Sequence, residues 1–289
     1  MRYNQLEAAG ERRLSVSDGT TTYDLTSADD SLRSFGDLAR AAGLTRSTVD
    51  DLADALIEDA ATLSEEEVER DVTVPVDAAE VWAAGVTYRI SEEAREEESS
   101  KPDIYLDVYD ADRPEIFFKA TPSRTVGPGE AVGIRADSEW DTPEPELGVV
   151  LYRGEPVGYT IGNDVSSRSI EGRNPLYLPQ AKVYDRCCAL GPCVVSSESI
   201  DDPHDLDMEM TISREGEVVY TGETNTGEMV RSCEELVSYF TRHNAVPELA
   251  VVLTGTSLVP DSPFDLRVDD RVEISIEEIG TLTNPVTQV

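Results

Sequence analysis

The stretch that decides the fold runs Asp141-Thr-Pro-Glu144-Pro145-Glu146-Leu147-Gly-Val-Val-Leu-Tyr152, then Arg153-Gly154-Glu155-Pro156, then Val157-Gly-Tyr-Thr-Ile161-Gly-Asn163-Asp164. Two apolar runs flank a quartet containing glycine and proline, which reads as a β-hairpin. In an extended strand residues two apart share a face, about 6.6 Å from one another, so Glu144 and Glu146 project together. Pro145 has no N–H for a ladder and places this piece at a strand end or edge. Two like charges on one face repel unless a cation lies between them. A turn centred on Glu155 sets Asp164 opposite Glu146, so that three carboxylates converge at the open end of the hairpin. An all-oxygen donor set of this kind suits Mg2+ or Mn2+, with water positions left for a substrate. In so acidic a chain, a plain surface cluster of carboxylates is the competing reading.

Outward from the hairpin, short strands are expected at Val72–Val76, Val81–Tyr88, Glu115–Lys119, Leu206–Arg214, Val218–Thr221, Leu249–Thr254 and Arg271–Ile276. One helix is expected from Ser232 to Arg242, with Leu236, Val237 and Phe240 on one face. The first seventy residues read as a small unit of their own. A hairpin from Met1 to Leu25 turns at Ser17-Asp18-Gly19, and Ser31 to Leu63 is helical in two pieces broken near Gly43. The polar run Glu65–Asp71 reads as the linker. The expected fold class is therefore α+β, with a small N-terminal domain over 1–70 and a catalytic domain over 71–289. Arg89 to Asp103 is acidic and reads either as a solvated helix or as a lid.

Composition sets the environment. The formal net charge is −35, with 59 acidic residues against 24 basic ones along the 289-residue chain. A compact state with that charge repels itself at low ionic strength, and at about 1 M salt the Debye length shrinks to roughly 3 Å. A salt-rich cytoplasm is the expectation, and nucleic acid is excluded as a partner by the sign of the surface. No signal peptide opens the chain, and no apolar run approaches the ~20 residues of a membrane span, so no membrane partner is expected.

The basic residues are almost all arginine, with lysine only at 101, 119 and 182. A lysine ammonium is compact and its pKa can be shifted by burial, which a guanidinium does not match. Lys119 and Lys182, in apolar or turn-rich sequence, are thereby marked for function. His204 and His243 have no ligand spacing and read as surface or helix-end residues. Cys187, Cys188, Cys193 and Cys233 form no paired framework and read as reduced, mostly buried thiols.

Glu144-Pro-Glu146, the run Gly158-Tyr-Thr-Ile-Gly-Asn163-Asp164-Val165-Ser166-Ser167-Arg168, Lys182-Val-Tyr-Asp185 and Leu190-Gly-Pro192 together resemble the fumarylacetoacetate hydrolase family. Thr254-Gly255-Thr256 resembles the family's later turn, and Phe118-Lys119 with Val126-Gly-Pro-Gly129 its upstream strand and turn. The resemblance covers roughly residues 80 to 280. It implies a mixed β-roll catalytic domain, a divalent metal held by Glu144, Glu146 and Asp164, and a small 2-oxo acid chelated through its carboxylate and keto oxygens. It also implies a homodimer or homotetramer.

The family's hydrolases carry a histidine near the first catalytic strand, where this chain has Gly85-Val-Thr-Tyr88-Arg-Ile-Ser91. With Arg113-Pro-Glu115-Ile-Phe-Phe118-Lys119 and Thr256-Ser-Leu-Val-Pro260, the pattern resembles the branch of 2-keto-3-deoxypentonate dehydratases. That branch converts a 2-dehydro-3-deoxy-arabinonate or -xylonate into 2,5-dioxopentanoate, a hydro-lyase reaction. On this resemblance Lys182 is the base or enolate stabiliser and Glu115 the partner acid or base. Phe118, Lys119, Ser123 and Thr256 line the substrate pocket. Arg168 and Arg173 either touch substrate or make structural ion pairs. An acylpyruvate hydrolase or oxaloacetate decarboxylase is the alternative, with Glu92 or Glu93 replacing the missing histidine.

Overall fold

The computed structural model describes residues 1–88, 111–260 and 264–289. Strands β1 (Arg2–Ala8) and β2 (Glu11–Ser17) are joined through Ala9 and Gly10, at φ of 53° and 81°, as a two-residue hairpin demands. The Ser17-Asp18-Gly19 turn, expected to close this first hairpin, instead leads from β2 to β3 (Thr22–Asp24), where Asp18 Oδ1 accepts from the amides of Thr20 and Thr21. Helices α1 (Leu25–Ala28), α2 (Phe35–Thr45) and α3 (Val49–Ile57) follow, then β4 (Ala61–Leu63) and α4 (Glu65–Asp71). Gly43 stays helical, packed under the Tyr152 ring. The break falls three residues later, where Arg46 is left-handed and Thr48 starts α3 with a reciprocal capping box. The run Glu65–Asp71, expected as linker, is helical for the same reason, with Ser64 and Glu67 forming the box.

Val72–Val76 is not a strand. Val72 bridges Leu6 and the Thr73 amide donates to Gln5 O, but Pro75 has no donor to continue the ladder. Next come β5 (Glu80–Gly85), β6 (Glu115–Ala120), β7 (Thr125–Val126), β8 (Val132–Ile134) and β9 (Asp141–Thr142), then the hairpin β10 (Pro145–Tyr152) and β11 (Glu155–Asp164). Beyond it lie β12 (Ser166–Ser167), α5 (Arg168–Glu171), α6 (Leu178–Lys182), β13 (Cys188–Ser196), β14 (Asp207–Arg214) and β15 (Glu217–Asn225). The chain ends with α7 (Cys233–Thr241), β16 (Leu249–Leu253), β17 (Arg271–Ile276) and β18 (Gly280–Gln288). The expected lid and Ser91, Glu92 and Glu93 lie outside the described residues.

The architecture is α+β, with mixed sheets and few helices. One eleven-stranded sheet runs β4-β3-β2-β1-β13-β11-β10-β16-β5-β6, with β7 beside β13, and a five-stranded sheet runs β15-β14-β17-β18-β8. Most pairs are antiparallel, while β16–β5, β13–β7 and β18–β8 are parallel. The large sheet crosses residue 70, because β1 pairs with β13. Its centre is buried on both faces. Leu147, Val149, Leu151, Ala250 and Val252 pack toward the smaller sheet, against Met208, Met210 and Ile274. Val150, Val251 and Leu253 face the other way, onto Leu25, Phe35 and Leu38 of the N-terminal unit. Burial on two sides explains why these strands read as continuous apolar runs, and each such side chain contributes on the order of 1.5–3 kcal/mol. Among the described residues no helix is long and apolar enough to cross a membrane.

Candidate metal centre and active site

The β10–β11 hairpin turns on Arg153 and Gly154, both at positive φ (52° and 88°), one residue earlier than a turn centred on Glu155. Tyr152 pairs with Glu155, and an irregularity after Val150 shifts the register, so that Glu146 faces Gly162 and Pro145 faces Asn163. Asp164 therefore stands beside Glu144, whose carbonyl accepts from the Asp164 amide at 2.9 Å, and not opposite Glu146. The difference is two residues, which preserves the face. Glu144, Glu146 and Asp164 still converge, each with a carboxylate oxygen within 4.8 Å of the others, and all three are buried.

Hydrogen bonds to backbone amides fix two of these residues. The Glu144 amide donates to Asn163 Oδ1 at 3.2 Å, closing the hairpin's open end. Glu146 Oε2 accepts from the Gly255 amide at 2.6 Å, in the turn after β16. Gly255 has φ +87°, and a Cβ there would lie 2.1 Å from Thr87 Oγ1, so only glycine fits. Thr87 Oγ1 donates to Thr254 O at 2.6 Å and fixes that turn from the segment just after β5.

Among the described residues, three cations surround the cluster. Lys182, at the end of α6, places Nζ 2.7 Å from Glu144 Oε2 and 3.0 Å from Asp164 Oδ2. Lys119, fully buried on β6, reaches Asp164 Oδ1 at 2.5 Å. Arg168, at the start of α5, lies 3.3 Å from Glu144 Oε1 and 3.6 Å from Glu171. Burial pulls the Lys182 pKa down, but the charges of Asp164 and Glu144 outweigh it and hold the ammonium well above the ordinary lysine range. Burial pushes Glu144 up, and Lys182 and Arg168 reverse this, leaving it below the usual carboxylate value. Glu146 has no ion pair among the described residues. Burial, then the neighbouring Asp164 and Glu144, push it well above the usual value.

That pattern fits a hard divalent cation. The donors are all carboxylate oxygens, they meet at one point, and the repulsion lifting Glu146 is what a cation there would remove. Magnesium or manganese both match such oxygen ligands.

Glu144 and Glu146 form one wall of a cleft of about 50 Å3. Of the residues expected in the pocket, Glu115, Thr256 and Lys182 line it. Phe118 does not. It lies on the opposite face of β6, edge-on to Trp82 at 5.7 Å, while Phe117 lines the cleft with its ring 5.4 Å from Lys182 Nζ. Strand alternation requires this, since Glu115 and Phe117 share a face. Lys119 shares that face but lies beneath the cluster, clear of the cleft. Ser123 sits in a short turn, bonded to Thr121 Oγ1 at 3.0 Å and away from the site. Arg168, Glu171 and Leu178 line the cleft as well. Of these, Arg168 was visible in the Asn163–Arg168 run, whereas Glu171 and Leu178 had no sequence signal. Asp185 is exposed, and His204 accepts from the Cys233 amide at the start of α7. The four cysteines are free and buried.

Comparison with known proteins agrees with this geometry. Residues 80–287 match the family model described as fumarylacetoacetate (FAA) hydrolase, C-terminal. The chain is 71% identical, over the whole of both chains, to a probable 2-keto-3-deoxyxylonate dehydratase of Haloferax volcanii. It is 50% identical over 220 residues, 74% of each chain, to the 2-dehydro-3-deoxy-D-arabinonate dehydratase of Saccharolobus solfataricus. A solved structure of 2-keto-3-deoxy-D-arabinonate dehydratase complexed with magnesium and 2,5-dioxopentanoate superposes with a TM-score of 0.86 at 38% identity, covering 100% of this chain and 99% of that one. A buried Glu-Glu-Asp centre on a mixed β-roll, matched by the family model over most of its length, makes this chain a member of the fumarylacetoacetate hydrolase family.

Proposed function

We infer that the protein is a hydro-lyase that dehydrates a 2-dehydro-3-deoxy-D-pentonate, of the xylonate or arabinonate series, to 2,5-dioxopentanoate in pentose breakdown, with Mg2+ as its cofactor. The observation that carries the reading is Lys182 on the carboxylate triad with Glu115 in the same cleft, in a chain that matches dehydratases along its full length.

Glu144, Glu146 and Asp164 would hold the metal, which when bound supplies the positive charge that makes the C3 protons of a chelated 2-oxo acid acidic. The chain's own groups then divide the remaining work. Lys182, kept protonated by its two carboxylates, is arranged to stabilise enolate charge and donate a hydrogen bond rather than to abstract a proton. Glu115 is the carboxylate placed to take the C3 proton and return it to the departing C4 hydroxyl. Loss of that proton and hydroxide as water leaves a C3=C4 double bond. A proton then passes from C5 to C3, and the C4–C5 enol gains a proton at C4 and gives up its O–H proton to become the aldehyde. Phe117 and Leu178 present apolar surface that keeps bulk water from the enolate.

Incubation with both 3-deoxypentonate epimers and with an acylpyruvate, followed by mass spectrometry, tests the reading. The expected product is 2,5-dioxopentanoate from a sugar acid and no pyruvate. Pyruvate released from the acylpyruvate, with both sugar acids untouched, would overturn it.

The charge of −35 supports a working environment of molar salt, inside a salt-rich cytoplasm. Dilution into low-salt buffer is expected to lower the melting temperature and erode the circular dichroism signal, because self-repulsion is no longer screened. An unchanged melt across that range would rule this out. Leu176 and Tyr177, 83% and 42% exposed beside α6, support assembly as a homodimer or homotetramer.

A further inference from the structure

Lys119 is the one described lysine that the proposed chemistry does not use, and it is also the most deeply buried, with no exposed surface. Its Nζ makes three contacts. One is to Asp164 Oδ1 at 2.5 Å, one to Val165 O at 2.9 Å and one to Lys182 O at 2.5 Å. An ammonium has three protons, so these partners use all of them. No donor is left for a substrate, and Lys119 does not line the cleft.

The three acceptors belong to two separate parts of the site. Asp164 and Val165 end β11 and include a carboxylate of the proposed metal centre. The Lys182 carbonyl closes α6, the helix that delivers Lys182 Nζ to the same carboxylate. Asp164 thus carries an ammonium on each oxygen, Lys119 on Oδ1 and Lys182 on Oδ2. Tyr184 supports the arrangement from the far side, its hydroxyl donating to Val165 O at 2.9 Å and its ring 5.7 Å from Lys119 Nζ.

We propose that Lys119 is a positioning residue that fixes Asp164 and Lys182 relative to one another, so that metal affinity and the placement of the Lys182 ammonium both depend on it. The side chain at this point must be a compact point charge with three divergent donors. A planar guanidinium cannot send three bonds to acceptors arranged around one atom. This accounts for a lysine here in a chain that otherwise uses arginine for nearly every cation.

The inference rests on the dehydratase reading only for its kinetic arm. With lysine at three positions, a lysine-selective 15N label gives few ammonium resonances, and Lys119→Arg identifies that of Lys119 by its loss. In the wild-type protein that resonance should exchange slowly with water and move on titration with Mg2+ alone. In Lys119→Met, Mn2+ affinity read by electron paramagnetic resonance should fall about 10–100-fold, as for other groups that orient a metal ligand. At saturating metal, kcat should stay depressed while KM changes little, and Lys119→Arg should rescue neither. Three results would overturn the proposal. They are a Lys119 resonance that exchanges like a surface amine, one that stays still while Mn2+ binds the wild type, and a folded Lys119→Met with wild-type Mn2+ affinity. The wild-type resonance decides the matter if Lys119→Met does not fold. A wild type that binds no Mn2+ overturns the metal reading and this inference together, whereas the absence of dehydration leaves the resonance and affinity results standing.

Discussion

Glu146→Gln is expected to abolish Mg2+ binding and turnover while leaving a protein that melts no lower than its parent. The two halves of that result have one cause. Glu144 is balanced by Lys182 and Arg168, and Asp164 by Lys119 and Lys182. Among the described residues Glu146 has only the Gly255 amide, at 2.6 Å, and burial, then two neighbouring like charges, push its pKa well up. Glutamine keeps the length and an acceptor for Gly255, so the turn after β16 survives. It removes a charge whose burial costs several kcal/mol unless paired, hence a melt that holds or rises. The same change deletes one of three metal ligands. Its effect should exceed the roughly 10–100-fold that a group merely orienting a ligand contributes. Calorimetric titration with Mg2+, thermal melts in high salt and steady-state kinetics read the three quantities separately. Wild-type turnover of this variant, or full activity of the parent in chelator, would remove the metal from the mechanism.

The site was legible in the sequence because the features that define it have period two. The hairpin turn lies at Arg153-Gly154, and Glu146 pairs with Gly162, so the register drawn around Glu155 was displaced by two residues. An odd displacement would have sent Asp164 to the opposite face, but an even one leaves all three carboxylates together. The same rule, applied to β6, would have placed Phe117 rather than Phe118 in the cleft, because Glu115 was already assigned to that face. Lysine scarcity marked Lys119 and Lys182 before any geometry was known. It could not separate a lysine facing the cleft from one beneath it, since both lie in apolar sequence and differ only in what the fold stacks over them.

What the sequence hid was long-range pairing. β13 lies between β1 and β11 in the large sheet, yet Gly191-Pro192 in its middle reads as a break. The ladder tolerates the proline because the register with β11 shifts there, and Thr160 Oγ1 donates to Gly191 O and Cys193 O in place of the missing bonds. That is how a bulge absorbs an irregular residue. The pairing of β1 with β13, which carries the sheet across residue 70, is likewise a contact between segments almost two hundred residues apart. Local patterns report such a contact only as an apolar face awaiting a partner.

Lys182→Met and Lys182→Arg should separate charge from placement. In the wild type the ammonium is shared by Glu144 Oε2 and Asp164 Oδ2 and lies 5.4 Å from the Phe117 ring, on the wall of a cleft of about 50 Å3. Methionine fills similar volume without charge, so kcat should fall by the roughly 10²–10³-fold that loss of one preorganised donor to developing negative charge costs. Arginine keeps the charge, but its guanidinium is longer and planar. It must either enter the substrate's space or pull back from one carboxylate, and turnover should fall by a comparable factor. Metal binding should behave differently. Without the ammonium, Glu144 and Asp164 are more negative while Lys119 still fixes Asp164, so Mg2+ affinity in Lys182→Met should equal or exceed that of the parent, the reverse of Glu146→Gln. A loss of turnover with undiminished Mg2+ affinity assigns Lys182 to the chemical step. Near-normal turnover in Lys182→Arg would instead make it a structural counter-ion, and stabilisation of the enolate would then fall to the bound metal alone.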